Sequence, residues 1–331
     1  MKPYSLAIVV WLLCAALGDG YAAADDGHRF AHSGDGRIQL YSVKNGRSFS
    51  GEYDLGAGNY DQKALDRIAL VFGSPKGDPL AHIALRLIAF LDFIQDHFDP
   101  TARIEIVSGW RSPDYNTKLR KDGRLAATAS LHQYGMAADI VIDGVSSERV
   151  WHFVRRLGFG GTGYYHGRTV HVDVGPARFW DESSSGVGTG LADDNKLIGL
   201  VTDYDQYRPG ELVVLRFIRM TAFPIGVVPE FTLERIGPST ESQKAAAGRP
   251  DFNIGIEGAC PRFAAIADMM NIRYRLPSQL PPGEYTLCAR FCESDWEAMP
   301  EKVATPPFKI VSSAFRFSPT TVPGSAAVWR Q

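Results

Sequence analysis

Two short stretches carry side chains that bind metals. The first is SLHQYGMAAD, Ser130 to Asp139, which places His132 and Asp139 with small residues between them. The second is HVD, His171 to Asp173. Two imidazoles and a carboxylate give three N/O ligands and leave a fourth position open. That is the pattern of a catalytic zinc site rather than a closed structural one. A metal held this way acidifies its bound water and polarises a carbonyl. The plainer reading is three ordinary hydrogen-bonded polar residues, and with 8 His in the chain such pairs arise by chance.

Elements must bring these residues together. IEIVSG (Ile104 to Gly109), ADIVID (Ala138 to Asp143) and TVHVDV (Thr169 to Val174) read as strands. Asp139 then begins one strand and His171 lies inside another, so neighbouring strands can face the two side chains toward each other. His132 falls in a loop that Gly135, Ala137 and Ala138 allow to fold back closely. SGWRS, Ser108 to Ser112, sits at the end of a strand before that loop. Arg111 there can pair with a carboxylate or an oxyanion. Helical spacing is clearest over Leu80 to Phe98 and recurs over Tyr60 to Phe72, Pro113 to Arg120 and Val150 to Leu157, with Ser146 placed to cap the last.

The chain has 331 residues, 45% apolar, with a formal net charge of -2, which fits one large or two medium globular domains. The absence of a basic surplus argues against a nucleic-acid partner. Lys2 precedes the apolar run Leu6 to Leu17, and Ala22 to Ala24 offer a cleavage site, so residues 1–24 read as a secretory signal peptide. A short membrane anchor is the alternative. No later apolar stretch is long enough to span a bilayer. The expected location is the periplasm or beyond, with no stable membrane insertion after cleavage. Removing Cys14 with the leader leaves Cys260, Cys288 and Cys292, and an oxidising compartment favours one disulfide from Cys260 to Cys288 or Cys292.

The ordered motifs S-G-W-R-S, S-x-H-x-x-G-x-A-x-D, G-x-G-Y-Y and H-V-D-V-G resemble the zinc D-Ala-D-Ala peptidase family. That family includes murein DD- and LD-endopeptidases, among them the exported murein endopeptidase K group, and D-alanyl-D-alanine carboxypeptidases. The likeness runs over roughly Arg37 to Trp180. It implies Zn2+ held by His132, Asp139 and His171, and Arg111 as the residue that binds and polarises substrate. The implied fold is a small α+β domain with an antiparallel sheet that carries the metal on one face. The implied reaction is hydrolysis of a peptide bond in peptidoglycan stems or cross-links, with the peptidoglycan peptide as substrate. One departure stands out. Many family members carry an acidic residue or His three positions before the second His ligand, where this chain has Arg168. Arg168 cannot accept a proton. His166 and Asp173 are the candidates to replace it as general base. Asp173 could equally be a carboxylate that orients His171. Without a base, the chain would be a zinc-binding relative with little activity that binds cell wall or a protein partner.

The Gly/Ser-rich tract at 183–195 reads as a linker. Beyond it, short strand-like runs such as ELVVLRF, EFTLERI and EYTLCARF alternate with Pro/Gly turns. The pattern suggests an all-β, sandwich-like domain over 196–315 after a peptidase-like domain over 25–182, with a tail at 316–331. Phe217, Phe231, Tyr274, Tyr285 and Phe291 fit a sandwich core better than a sugar-binding platform.

Overall fold

The computed structural model describes residues 28–77, 81–123, 126–184, 195–237, 242–252, 254, 259–297 and 299–312. The leader, most of the linker and the tail lie outside the described residues.

The N-terminal half is built on one seven-stranded sheet. Its strands are β1 (Arg37–Ser42), β2 (Ser48–Glu52), β3 (Ile104–Ser108), β4 (Ala137–Ile142), β5 (Gly161–Tyr164), β6 (Val170–Asp173) and β7 (Arg178–Asp181). They lie side by side in the order β2-β1-β3-β4-β6-β5-β7. The expected antiparallel sheet is therefore mixed. β1 runs parallel to β3 and β5 parallel to β7, while the other four neighbouring pairs are antiparallel. β1 and β3 can run parallel because a long connection with two helices separates them.

Those helices are α1 (Gln62–Val71) and α2 (Leu85–Phe98), followed by α3 (Pro113–Lys121) and α4 (Ser147–Leu157). α2 buries Leu87, Ile88, Leu91 and Ile94, which recur at helical spacing. It starts at Leu85; the apolar pattern ran from Leu80, which lies outside the described residues. Just before the helix, the Ala84 N–H is drawn into tertiary pairing and donates to the Gly135 carbonyl at 2.9 Å. The N-terminal approach to α2 is thus docked on the turn that holds His132. Ser146 caps α4 by accepting the Arg149 N–H, and Gly158 ends the helix in the left-handed conformation. α4 covers one face of the sheet, where Trp151 stacks on Tyr164 at 5.6 Å.

Beyond residue 195 the described residues form strands and a single short 3-10 turn, Ile266–Met269. Leu212–Ile218 pairs antiparallel with Gly199–Thr202 and Ile272–Arg275. A second sheet contains Phe231–Ile236, Ser242–Gly248, Gly283–Arg290, Lys302–Ala304, Phe308–Ile310 and Gln206–Tyr207. Alternate residues of these strands point into a common core. Phe217, Phe231, Tyr274, Tyr285 and Phe291 are all buried, and the Phe217 and Phe231 rings meet across the core at 6.4 Å. The disulfide joins Cys260 to Cys292, leaving Cys288 as a buried thiol. Arg216 of this half reaches back, and its guanidinium donates to the Tyr134 carbonyl at 3.3 Å.

Candidate metal centre

Strand register assembles the centre. Ser108, Asp139, His171, Gly163 and Trp180 lie opposite one another in a single row that crosses five strands, β3, β4, β6, β5 and β7. Successive side chains on a strand alternate between faces, and this row lies opposite the face that carries Tyr164 and α4. Gly163 belongs in the row because the Trp180 ring lies where its Cβ would be. Trp180 in turn packs on His171, with ring centroids 5.0 Å apart.

His132 arrives from outside the sheet on a one-turn 3-10 helix, Leu131–Tyr134. Gly135 closes that turn at φ 62°, and a side chain there would run into the His82 carbonyl. Both the conformation and the space call for glycine. His132, Asp139 and His171 each offer a ligand atom, and the three atoms lie within 4.8 Å of one another. All three residues are buried. Two imidazole nitrogens and a carboxylate oxygen form a donor set that suits zinc.

Hydrogen bonds at the rear of each imidazole fix its orientation. His132 Nδ1 lies 2.8 Å from the Gly109 carbonyl, which can only accept, so Nδ1 carries the proton and Nε2 is left as the base. Nε2 lies 3.5 Å from Asp139 Oδ2. His171 Nε2 lies 2.8 Å from Asp173 Oδ2, and His171 Nδ1 lies 3.0 Å from Asp139 Oδ1. Burial pulls the His132 imidazole below its ordinary pKa. Burial would do the same to His171, but its bonds to Asp139 and Asp173 outweigh it and raise the pKa. Burial alone would raise the Asp139 carboxyl, yet His132 and His171 hold it well below the usual range. Asp139 is thus an anion set between two imidazoles.

The other singled-out residues divide. Arg111 is at the centre: one guanidinium nitrogen donates to Asp139 Oδ2 at 2.8 Å, and Nε donates to Ser108 Oγ at 3.0 Å. Asp173 is also there, but at the back of His171. It is fully buried, accepts from the Gly161 and Gly175 N–H groups, and takes a two-pronged ion pair from Arg178 at 2.9 and 2.6 Å. Against burial, Arg178 and His171 keep its carboxyl well below the usual range. His166 is not brought in. It sits exposed at φ 54° on the turn between β5 and β6, with its ring 4.6 Å from Tyr164 on the helix-covered side. Arg168 is also exposed and reaches Glu105 at 3.5 Å.

Residues 31–180 match the family described as peptidoglycan L,D-endopeptidase MepK. The MepK of Escherichia coli K12, a peptidoglycan L,D-endopeptidase by name, is 31% identical over 144 residues, covering 43% of this chain and 79% of the relative. This chain belongs to the MepK family. A probable MepK of Haemophilus influenzae is 30% identical over 145 residues, or 43% of this chain and 77% of the relative. Spo0M of Bacillus subtilis, a solved structure, covers 35% of this chain and 49% of its own at 13% identity and a TM-score of 0.22, too slight a likeness to bear on the fold.

The MepK match ends at Trp180, the last residue of the row that crosses the sheet. Three residues within the matched segment complete the centre without having been singled out for chemistry. Tyr165 directs its hydroxyl to Asp139 Oδ1 at 3.4 Å. Trp180 covers His171, and Arg178 neutralises Asp173. Arg178 and Asp173 lie five apart in sequence on different strands, and only the sheet register relates them. Tyr165 reads as a cleft wall by type, and nothing in its spacing points to Asp139.

Proposed function

We propose that this chain is an exported zinc peptidase that hydrolyses peptide bonds in peptidoglycan stems or cross-links. The observation that carries the reading is the cluster of His132, Asp139 and His171 within the MepK-matched segment. In this reading His132 binds zinc through Nε2, Asp139 through its carboxylate and His171 through Nδ1. When bound, the metal supplies an acidified water and a Lewis acid for the scissile carbonyl.

The protein's own residues do the rest. Gly109 and Asp173 each hold one imidazole in the tautomer that presents a bare nitrogen. Arg178 keeps Asp173 ionised, so Asp173 serves as a positioning residue rather than as a proton carrier. Arg111, fixed by Ser108 and Asp139 beside the centre, supplies cationic N–H groups for the oxyanion that develops on the substrate. Tyr165 adds a hydroxyl on the same side. His166, the other base candidate, sits on the helix-covered side of the sheet and could serve the centre only if its turn moved toward it. The relatives' names point to the L,D class of bond. The domain division proposed with this reading is a leader at 1–24, a peptidase unit at 25–182, a linker at 183–195, an all-β unit at 196–315 and a tail at 316–331.

A second reading rests on Arg168. Its guanidinium points to Glu105 rather than to the centre, so the position where a base was expected contributes none. A chain lacking a proton acceptor would hold zinc and bind wall peptide without cleaving it. One experiment separates the two: mass analysis of muropeptides after incubating purified sacculi with the mature protein, with and without chelator. The peptidase reading expects about one zinc per chain and smaller muropeptides, lost with chelator and restored by zinc. A His132→Ala variant that cleaved at the wild-type rate would sink it.

A further inference from the structure

A second group of carboxylates lies away from the metal centre, where strand β1 begins on helix α2. Asp92 and Asp96 are four residues apart on α2 and share one face of it. Asp35 closes the group from the turn that leads into β1. One oxygen from each carboxylate lies within 4.8 Å of one from each of the others. Asp92 is fully buried, and Asp35 and Asp96 are half-buried.

The hydrogen bonds use only half of these oxygens. Asp92 Oδ2 accepts from the Tyr53 hydroxyl and from the Gly36 N–H, both at 2.9 Å. Asp96 Oδ2 accepts from the Asp35 N–H at 2.6 Å, and Asp35 Oδ1 accepts from the Arg37 N–H at 2.8 Å. Asp92 Oδ1 and Asp96 Oδ1 are shut away from solvent and receive no donor. Among the described residues, no Lys, Arg or His forms an ion pair with any of the three. Burying a carboxylate oxygen with neither a donor nor a counter-charge is costly. A cluster of three compounds the cost through like-charge repulsion. Burial and the neighbouring Asp96 accordingly push the Asp92 carboxyl up to about 8. The site lacks a positive charge.

We propose that Asp35, Asp92 and Asp96 bind a calcium ion that clamps the start of β1 to α2. All the donors are oxygens, which suits a hard cation and not zinc. Calcium fits better than magnesium because the carboxylates come from a helix face and a turn, an irregular set. Magnesium demands near-ideal octahedral geometry and keeps several waters. The ion would supply the positive charge that the three carboxylates lack and tie Gly36, the first residue before β1, to the middle of α2. The clamp is structural and stands apart from the peptidase reading.

The test uses the zinc-loaded mature protein, stripped of calcium with a calcium-selective chelator and titrated with CaCl2 by calorimetry and thermal unfolding. The expected result is one saturable calcium per chain with Kd on the order of 10⁻⁴–10⁻³ M, the range of extracellular modules. Melting should rise by about 5 °C at a hundredfold excess over Kd. Asp96→Asn and Asp35→Asn should each weaken binding at least about tenfold while zinc content stays at wild type. Asp35 lies on a half-buried turn, so its variant stays informative if Asp96→Asn fails to fold. His132→Ala should leave calcium binding unchanged. No saturable binding up to ~10 mM, well above that range, overturns the proposal. So does binding that survives both Asn variants, or binding that is lost in His132→Ala.

Discussion

Asp139 and His171 stand directly opposite each other in the antiparallel pairing of β4 with β6, with Oδ1 and Nδ1 3.0 Å apart. Two candidate ligands thus owe their proximity to strand register alone. A slip of one residue by either strand would turn its own ligand to the helix-covered face and separate the pair. His171 is also gripped from behind, since Asp173, two residues on and on the same face, holds its other nitrogen. The imidazole is fixed at both nitrogens before any metal arrives.

The first prediction follows from that rear contact. Asp173→Asn keeps the shape but removes the charge that favours a proton on His171 Nε2. Zinc affinity or muropeptide release should drop by about 10–100-fold. Competition with a zinc-sensitive dye measures the affinity directly. Wild-type affinity together with a wild-type rate would show that Asp173 does not position His171. Arg178→Ala should move in the same direction by a smaller step, because Asp173 keeps its two backbone donors.

Arg111 gives a prediction that separates binding from chemistry. Its guanidinium touches the centre only through Asp139, so Arg111→Ala should keep about one zinc per chain. The turnover number should fall by about 10²–10³ if the arginine stabilises a developing oxyanion. Arg111→Lys keeps the charge but not the planar fork and should recover only part of the rate. A rise in KM with unchanged turnover would instead mean that Arg111 only holds substrate.

His166 is testable in the same assay. If its imidazole takes the proton from water, His166→Ala should lower turnover by about 10²–10⁴-fold with zinc retained. An unchanged rate would remove it from the mechanism.

How far the sequence could be read depended on the range of the interaction. Local signals carried well: the Ser146 cap of α4, the apolar spacing of α2, and strands β3, β4 and β6. The short strands β2, β5 and β7 were not singled out, because Gly161–Tyr164 and Arg178–Asp181 lack the apolar alternation of a half-buried strand. β5 carries glycine at positions 161 and 163, where Asp173, Arg178 and Trp180 occupy the space. A packing demand from distant residues therefore erased the local strand signal. The mixed direction of the sheet was hidden for a related reason, since pairing between β1 and β3 depends on a connection of more than fifty residues. His132, Asp139, His171 and Arg111 were legible as types and order. Tyr165, Trp180 and Arg178 were not, because only the register joins them to the centre.

Gly135 links folding to the centre. An alanine there would sit at positive φ and press on the His82 carbonyl. Strain and overpacking of this kind cost about 1–3 kcal/mol each. Relief would require the His132 turn to move, so Gly135→Ala should both lower the melting temperature and speed zinc loss. Gly144→Ala is the control, since its added Cβ meets nothing within 4 Å at a comparable positive φ of 75°. Equal zinc loss in the two variants would mean that close approach to His82 plays no part.

His32 sets a pH dependence of its own. Its ring lies among Phe90, Phe93 and Phe159, with centroids 5.8, 5.0 and 4.6 Å away. Burial lowers its pKa below the ordinary value near 6.5, and Asp205 only partly opposes this. The unfolded chain takes up a proton as pH falls through about 6.5, while the folded chain resists until lower pH. In that window the unfolded state binds more protons, so stability increases with pH. The contribution is present above about 6.5 and is lost on acidification toward the folded pKa. Melting temperatures of wild type and His32→Phe, measured from pH 7.5 down to 5, should diverge, with the wild type falling more steeply. Parallel curves would mean that His32 titrates alike in the folded and unfolded chains.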